Sequence, residues 1–376
     1  MKIKKIVFLT GTRADFGKIK SLIHILQHSS QFEPYIFVTG MHMQKVYGFT
    51  VLEVEKCGFK NISRFENYTH ETTMDLTLSK TIEGFSSYIN ELKPDLIVVH
   101  GDRVEALAGA IVGSLNNILV AHIEGGELSG TIDELIRHSI SKLSHIHFVS
   151  NSEAKNRLLQ MGEIEEAIKI IGSPDIDSMF SNTLPTLQVA KEYYDISFAN
   201  YAIAMFHPVT TEYDKIAEYA KNFTSALLVS NLNYLVIYPN NDLGSSLILK
   251  EFEALKRNSH FRILPSLRFE YFLTLLKNAN FIIGNSSAGV REAPYYSVKT
   301  INVGTRQQNR VVNKSIINCD YSKSAILKSI NNLNLKPLSY EINVDFGKGN
   351  SAHLFKEILE EKNFWKIAKQ KQFNDF

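Results

Sequence analysis

The feature that most limits the fold of this chain is a series of short, mostly apolar, β-branched runs separated by amphipathic stretches. The runs occupy residues 5–9, 35–38, 95–99, 118–122, 145–149 and 169–171, and a second series occupies 201–206, 234–238, 261–264, 281–283 and 300–303. A strand that is apolar on both faces cannot border water, so each run predicts a strand of a parallel sheet covered by helices on both sides. The stretch 18–27 is suitable cover, with Ile19, Leu22, Ile23 and Leu26 on one helical face. Two such series predict an α/β chain of two Rossmann-like domains facing a cleft, and 376 residues are too many for one ordinary core. The expected division is 1–172 for the first domain and 173–352 for the second. The stretch 173–197, rich in Ser, Pro, Thr and Asn, is the expected hinge.

Bulk properties exclude several function classes. Net charge is only +2, with no Lys/Arg block, so the chain carries no nucleic-acid or membrane-surface footprint. The longest apolar run among the first thirty residues is 6–9, far short of a signal segment or a membrane span. Cys57 and Cys319 lie far apart and predict neither a disulfide framework nor a zinc site. A cytoplasmic protein with reduced thiols is the expectation.

Ligands of open parallel sheets bind beyond the carboxyl ends of the strands. Six polar or glycine-rich turns fall at such ends: GTRADFGK (11–18), GDR (101–103), EGG (124–126), HP (207–208), PNNDLGS (239–245) and GNSSAG (284–289). The first is not a phosphate loop, because its Gly-x5-Gly-Lys spacing is one residue too long and Ile19 fills the Ser/Thr position. It is a strand-to-helix loop with Arg13 and Lys18 as cations, suited to a diphosphate. In the last turn Ser286, Ser287 and Gly289 permit close backbone approach to phosphate oxygens, and Glu292 is placed to accept from ribose hydroxyls. An N-cap explains one of those serines but not the glycine as well.

Asp102 and Glu124 end strands expected to lie close together, and two carboxylates in one site separate into an acid and a base. Arg103, with His100 and His122 nearby, is a cation that holds one of them ionised or meets phosphate. The pair His145 and His147 lacks metal-ligand complements and reads as packed or hydrogen-bonded histidine. His207, at a strand end before Pro208, is placed to reach a phosphate or protonate a leaving group.

The segment HIEGGELSGTIDELIRH (122–138) holds five titratable candidates. Thr131-x-x-Glu134 has capping-box spacing, so Glu134 is the structural acid. Asp133 sits in the first helical turn, where backbone dipoles favour its ionised form. Gly125, Gly126 and Gly130 let the loop fold back, leaving Glu124 and Asp133 as the working acids and Glu127 and His138 as bystanders.

Together GTRADFGK, HGDR, the 122–145 segment, FHPVT, PNNDLGS, GNSSAGVREAP and GTRQ resemble the hydrolysing UDP-N-acetylglucosamine 2-epimerases of sialic-acid biosynthesis, over about residues 4–310. The resemblance implies a glycosyltransferase-B-like fold and a C-terminal helix, around 353–376, that returns to the first domain. It implies conversion of a nucleotide sugar and water to N-acetylmannosamine and UDP through a glycal, with no cofactor, no metal and a homodimer. It assigns catalysis to Asp102, Glu124, Asp133 and His207, and UDP contacts to Arg13, Ser286, Ser287, Glu292 and Arg306. Lys18, Arg103, Asn240 and Gly289 complete the expected substrate-binding set. Phe16 stands where relatives often carry Tyr, and Asn309 where Gly commonly follows GTRQ. A sister branch acting on a GDP- or UDP-linked 2,4-diacetamido-2,4,6-trideoxyhexose in legionaminic-acid synthesis resembles the chain equally well. A glycosyltransferase of the same fold and a non-catalytic nucleotide-sugar-binding protein are the rival readings.

Overall fold

Parallel strands need a crossover connection, usually a helix, and the chain alternates strand and helix through most of its length. The computed structural model describes residues 3–67, 73–129, 131–307, 314–333, 346–372 and 374. Gly130 and Asn309 lie outside the described residues. The chain divides into two compact units, one of Met1–Glu127, Asp133–Asn182 and Asp345–Phe376, the other of Leu128–Ile132 and Thr183–Val344.

The first unit has seven strands: β1 Lys4–Thr10, β2 Phe32–Val38, β3 Ile62–Arg64, β4 Leu96–His100, β5 Leu119–Ile123, β6 Ile146–Val149 and β7 Ile168–Ile170. Their order is β3-β2-β1-β4-β5-β6-β7, all parallel. β4 and β5 are neighbours with His100 opposite Ile123, so the turns that follow them share one stretch of sheet edge. Above the sheet, the Arg13–Gln27 helix buries Phe16, Ile19, Leu22, Ile23 and Leu26. The Ser351–Glu360 helix belongs to this unit, its Phe355 ring 6.3 Å from Phe8 and 4.8 Å from Phe148. Asp177 caps that helix by accepting from the Ser351 and Ala352 amides at 2.8 Å each.

The second unit has six strands: β8 Ala202–Met205, β9 Tyr234–Ile237, β10 Phe261–Leu264, β11 Phe281–Gly284, β12 Lys299–Val303 and β13 Ile316–Cys319. Their order is β10-β9-β8-β11-β12-β13, again all parallel. Both sheets therefore share one Rossmann-type order, with the reversal at β1/β4 in one and β8/β11 in the other. The stretch expected as a hinge holds a helix of each unit, Pro174–Met179 in the first and Leu187–Tyr193 in the second. Among the described residues no helix is long and apolar enough to cross a membrane.

Candidate active site

In the first unit the strand ends converge on Glu124. This residue follows β5 with φ +66°, a left-handed conformation that costs a non-glycine residue of order 1 kcal/mol or more. Two bonds hold it there. Its amide donates to the Phe148 carbonyl at 3.0 Å, and its carbonyl accepts from Arg137 Nη1 at 2.6 Å. Gly126, φ +74°, turns the chain away immediately afterwards, and a Cβ there would stand 2.2 Å from the Ala154 carbonyl oxygen.

The Glu124 side chain is 4% exposed. Its Oε1 accepts from Ser173 Oγ at 2.6 Å and lies 3.5 Å from His100 Nε2 and 3.9 Å from Lys18 Nζ. Lys18 also lies 3.4 Å from the buried Asp175. His100 ends β4 and donates from Nδ1 to Asp15 Oδ1 at 2.8 Å. Asp15 in turn accepts from Thr10 Oγ1 at 2.8 Å and from the Gly11 amide at 3.2 Å, while Thr12 caps the helix by accepting from the Asp15 amide. Burial alone would push the His100 pKa down, but the Glu124 charge and hydrogen bonds to Asp15 and Glu124 outweigh it and lift it to about 9.

Asp102 follows β4 and accepts from Arg137 Nη2, so one buried guanidinium joins the Asp102 carboxylate to the Glu124 carbonyl. Asp133 begins the helix that carries Arg137, one turn before it. Arg137, a cation the sequence did not single out, thus joins one strand-end carboxylate to the backbone of the other, and Asp133 shares its helix. Arg103, expected to be that cation, instead has its Nε 3.3 Å from Glu105 Oε2. Lys18, expected at a diphosphate, stands among Glu124 and Asp175. Arg13 pairs with Glu53.

The other histidines of this unit are structural. Burial drives His122 down to about 3, so it is neutral, donating from Nε2 to the Gly101 carbonyl at 2.8 Å and accepting from Ser141 at 3.0 Å. His147 bonds Glu163 at 2.9 Å, and His145 accepts from the Val120 amide at 3.0 Å. Glu134 lies 3.4 Å from His138 on the same helix. Phe16 is buried edge-on to Phe59, with ring centroids 6.0 Å apart.

In the second unit the fully buried Asn285, just past β11, ties three strand ends together. Its Oδ1 accepts from the His207 amide at 2.6 Å and its Nδ2 donates to the His207 carbonyl at 2.8 Å. Its own carbonyl accepts from Gln307 Nε2 at 2.9 Å and Arg306 Nη1 at 3.3 Å. His207 Nδ1 accepts from the Asn240 amide at 3.0 Å. An Nδ1 that accepts carries no proton, so the neutral ring bears it on Nε2 and can donate there. Asn240 and Asp242 are joined side chain to side chain.

The serine-rich turn is built by close approach. Gly284 has φ +130°, and a Cβ there would meet the Met205 carbonyl oxygen at 1.9 Å. Ser286 caps the short Ser287–Gly289 turn by accepting from the Ala288 amide at 3.3 Å. Thr300 Oγ1 closes its far side on the Gly289 carbonyl at 2.6 Å. Glu292 is buried at the start of the Glu292–Tyr295 helix. Ser286, Ser287, Gly289, Glu292, Arg306, His207 and Asn240 all belong to the second unit. Asp102, Glu124, Asp133, Arg13, Lys18 and Arg103 all belong to the first.

Two parallel Rossmann-type units, one lined at its strand ends with acids and the other with amides, hydroxyls and close-set glycine, define an α/β enzyme with equipment for proton transfer. The chain belongs to the UDP-N-acetylglucosamine 2-epimerase family, whose sequence model matches residues 24–360. It is 49% identical to a UDP-N-acetylglucosamine 2-epimerase of Neisseria meningitidis serogroup B, covering 99% of each chain. It is 34% identical to a hydrolysing UDP-N,N'-diacetylbacillosamine 2-epimerase of Legionella pneumophila, covering 95% of this chain and 96% of that one. The crystal structure of a Methanocaldococcus jannaschii UDP-GlcNAc 2-epimerase in complex with UDP-GlcNAc and UDP has the same fold. Its TM-score is 0.77 over 94% of this chain and 99% of that one, at 23% identity.

Proposed function

We propose that the protein is a hydrolysing 2-epimerase that converts UDP-N-acetylglucosamine and water to N-acetylmannosamine and UDP, at the entry to sialic-acid synthesis. The observation that carries this is Arg137 linking Asp102 to the Glu124 backbone, with Asp133 on the same helix, because the reaction needs at least one proton acceptor and one donor at carbon. The base removes the C2 proton, the C2–H electron pair becomes the C1–C2 double bond, and the C1–O bond breaks with its electrons leaving on UDP. Water then adds through oxygen at C1 of the glycal while an acid returns a proton to C2 from the opposite face, and the second water proton passes to the enzyme or solvent.

His207 is assigned to the departing diphosphate, since its Nδ1 bond leaves the Nε2 proton to donate. Ser286, Ser287 and Gly289 supply hydroxyl and backbone groups for phosphate, Arg306 adds charge, and Glu292 and Asn240 are assigned to the nucleoside end. Arg13, Lys18 and Arg103 supply the positive charge of the first unit. A homodimer in the cytoplasm, needing no cofactor, is the working form.

The 34% identity to the diacetylbacillosamine enzyme makes the diacetamido sugar the second reading, and the 49% relative favours UDP-N-acetylglucosamine. Parallel assays with UDP-N-acetylglucosamine and with UDP- and GDP-linked diacetamido-trideoxy sugars, followed by proton NMR of the free sugar, decide between them. Free N-acetylmannosamine formed at the higher kcat/KM is the expected result. Faster release from a diacetamido substrate transfers the assignment to that branch.

A further inference from the structure

Glu124 is surrounded unevenly. From the Arg13–Gln27 helix, Lys18 stands 3.9 Å from Oε1, and Asp15 is linked to it through His100. From the end of β4, His100 Nε2 stands 3.5 Å away. From the Pro174–Met179 helix, the buried Asp175 lies 3.4 Å from Lys18, and Ser173, just before that helix, donates at 2.6 Å. From the Ile132–Leu143 helix, Arg137 takes the Glu124 carbonyl and the Asp102 carboxylate. His122 and His147 are buried behind these groups, their proton affinities lowered by burial.

His100 is the unusual member. Nδ1 is committed to Asp15, which is itself held by Thr10 and the Gly11 amide. A ring donating from Nδ1 and carrying a second proton on Nε2 is a cation, and Nε2 is buried, 3.5 Å from Glu124 Oε1, with no other partner among the described residues. An imidazolium fixed against a carboxylate favours the ionised carboxylate, and Asp15 favours the imidazolium in turn. The lift in His100 affinity agrees with this geometry.

We propose that Asp15 and His100 are positioning residues that keep Glu124 ionised, which makes Glu124 the group that accepts the C2 proton, while returning the proton to C2 falls to Asp133 or Asp102. The proposal rests on the epimerase reading and deepens it by dividing the acids between the two proton transfers. In the first step the C2 proton passes to a Glu124 oxygen, the C2–H pair forms the C1–C2 double bond, and UDP leaves with the C1–O pair. Glu124 then passes its proton to solvent before the next cycle. Asp15 and His100 touch neither proton; they set the charge on the carboxylate that receives it.

The test is the pH dependence of kcat/KM for UDP-N-acetylglucosamine in the full-length wild type, His100→Gln and Asp15→Asn, with UDP affinity measured by calorimetry. A base must be ionised, so activity falls on the acid side as Glu124 takes up a proton. Loss of the neighbouring cation raises that acid limb by about one pH unit or more. Asp15→Asn, which keeps the ring but removes its anionic partner, is expected to move the limb in the same direction by less. UDP affinity stays within about threefold in both. A role confined to folding would instead lower kcat/KM equally at all pH. If His100→Gln does not fold, Asp15→Asn alone carries the test. A wild type that turns over, with the limb unmoved in the folded variants, overturns the dyad alone. A wild type that releases no UDP overturns the epimerase reading and the dyad with it.

Discussion

The strand ends of β4 and β5 and those of β8 and β11 occupy the same positions in two sheets of the same order, yet they are furnished oppositely. The first is dense with charge: Asp102, Glu124, Asp15, Asp175, Lys18, Arg137 and a protonated His100 lie within one hydrogen-bonded and ion-paired set. The second is held by a neutral amide, Asn285, with hydroxyls and a glycine whose Cβ has no room. Charged groups whose proton affinities are pushed apart suit proton transfer. Fixed neutral donors suit an anion that is bound and then released. One backbone plan therefore carries a charged region, suited to proton transfer, and a more neutral one, suited to holding an anion.

That contrast can be broken by exchange of function. The largest expected effect is on turnover: Glu124→Gln or Asp133→Asn should lower kcat by about 10²–10⁴-fold. UDP affinity, read by calorimetry, should stay within a few-fold. Near-normal turnover in either variant would remove the assignment. Asn285→Ala should show the reverse pattern. Losing an amide that serves both the His207 amide and its carbonyl should weaken UDP binding by about 10–100-fold, some 1.4–2.8 kcal/mol. Its kcat at saturating substrate should fall much less. Equal losses of kcat and affinity in both variants would show that the division does not exist.

Stability against pH is set in part by buried histidines of the first unit. His42, between Thr10 and Thr50, is pushed by burial down to about 4, and His122 to about 3, from an ordinary 6.5. The unfolded chain then binds these protons more tightly, so each histidine costs about 1.4 kcal/mol per pH unit as pH falls from 6.5 through those values. His100 has the opposite sign. Raised to about 9, it contributes stability fully below 6.5 and loses it as pH rises through 9. Thermal melts from pH 4 to 9 should show both limbs, and His100→Gln should flatten only the alkaline one. The smallest effect is expected from Ser286→Ala, which removes a cap worth about 1 kcal/mol and should shift the melt by a few degrees.

The charged region was only half legible in the sequence. Asp102 and Glu124 could be singled out because acids directly after apolar strands fall at the carboxyl edge of a parallel sheet. His100 was placed near them, but Arg137, Asp15 and Ser173 could not be tied to the group, because the bonds Arg137–Asp102, His100–Asp15 and Ser173–Glu124 close loops of 35, 85 and 49 residues that only the folded chain brings together. Arg103 was the nearer cation in sequence, and its partner is Glu105 two residues on. In the second unit the serines announced a turn, while Asn285, read only as part of that turn, makes its bonds to His207 across 78 residues. The strands divide in the same way. Eleven apolar runs became strands, but β3 and β13 at the sheet edges are short and partly exposed, so no apolar run marks them.

On the proposed reading the acids of the first unit move protons at carbon. Turnover of UDP-N-acetylglucosamine in D2O, with mass spectrometry and proton NMR of the released sugar, tests it directly. One deuterium at C2 of every N-acetylmannosamine formed, in step with UDP release, is the predicted result. Release of UDP with the original hydrogen retained at C2 would contradict it.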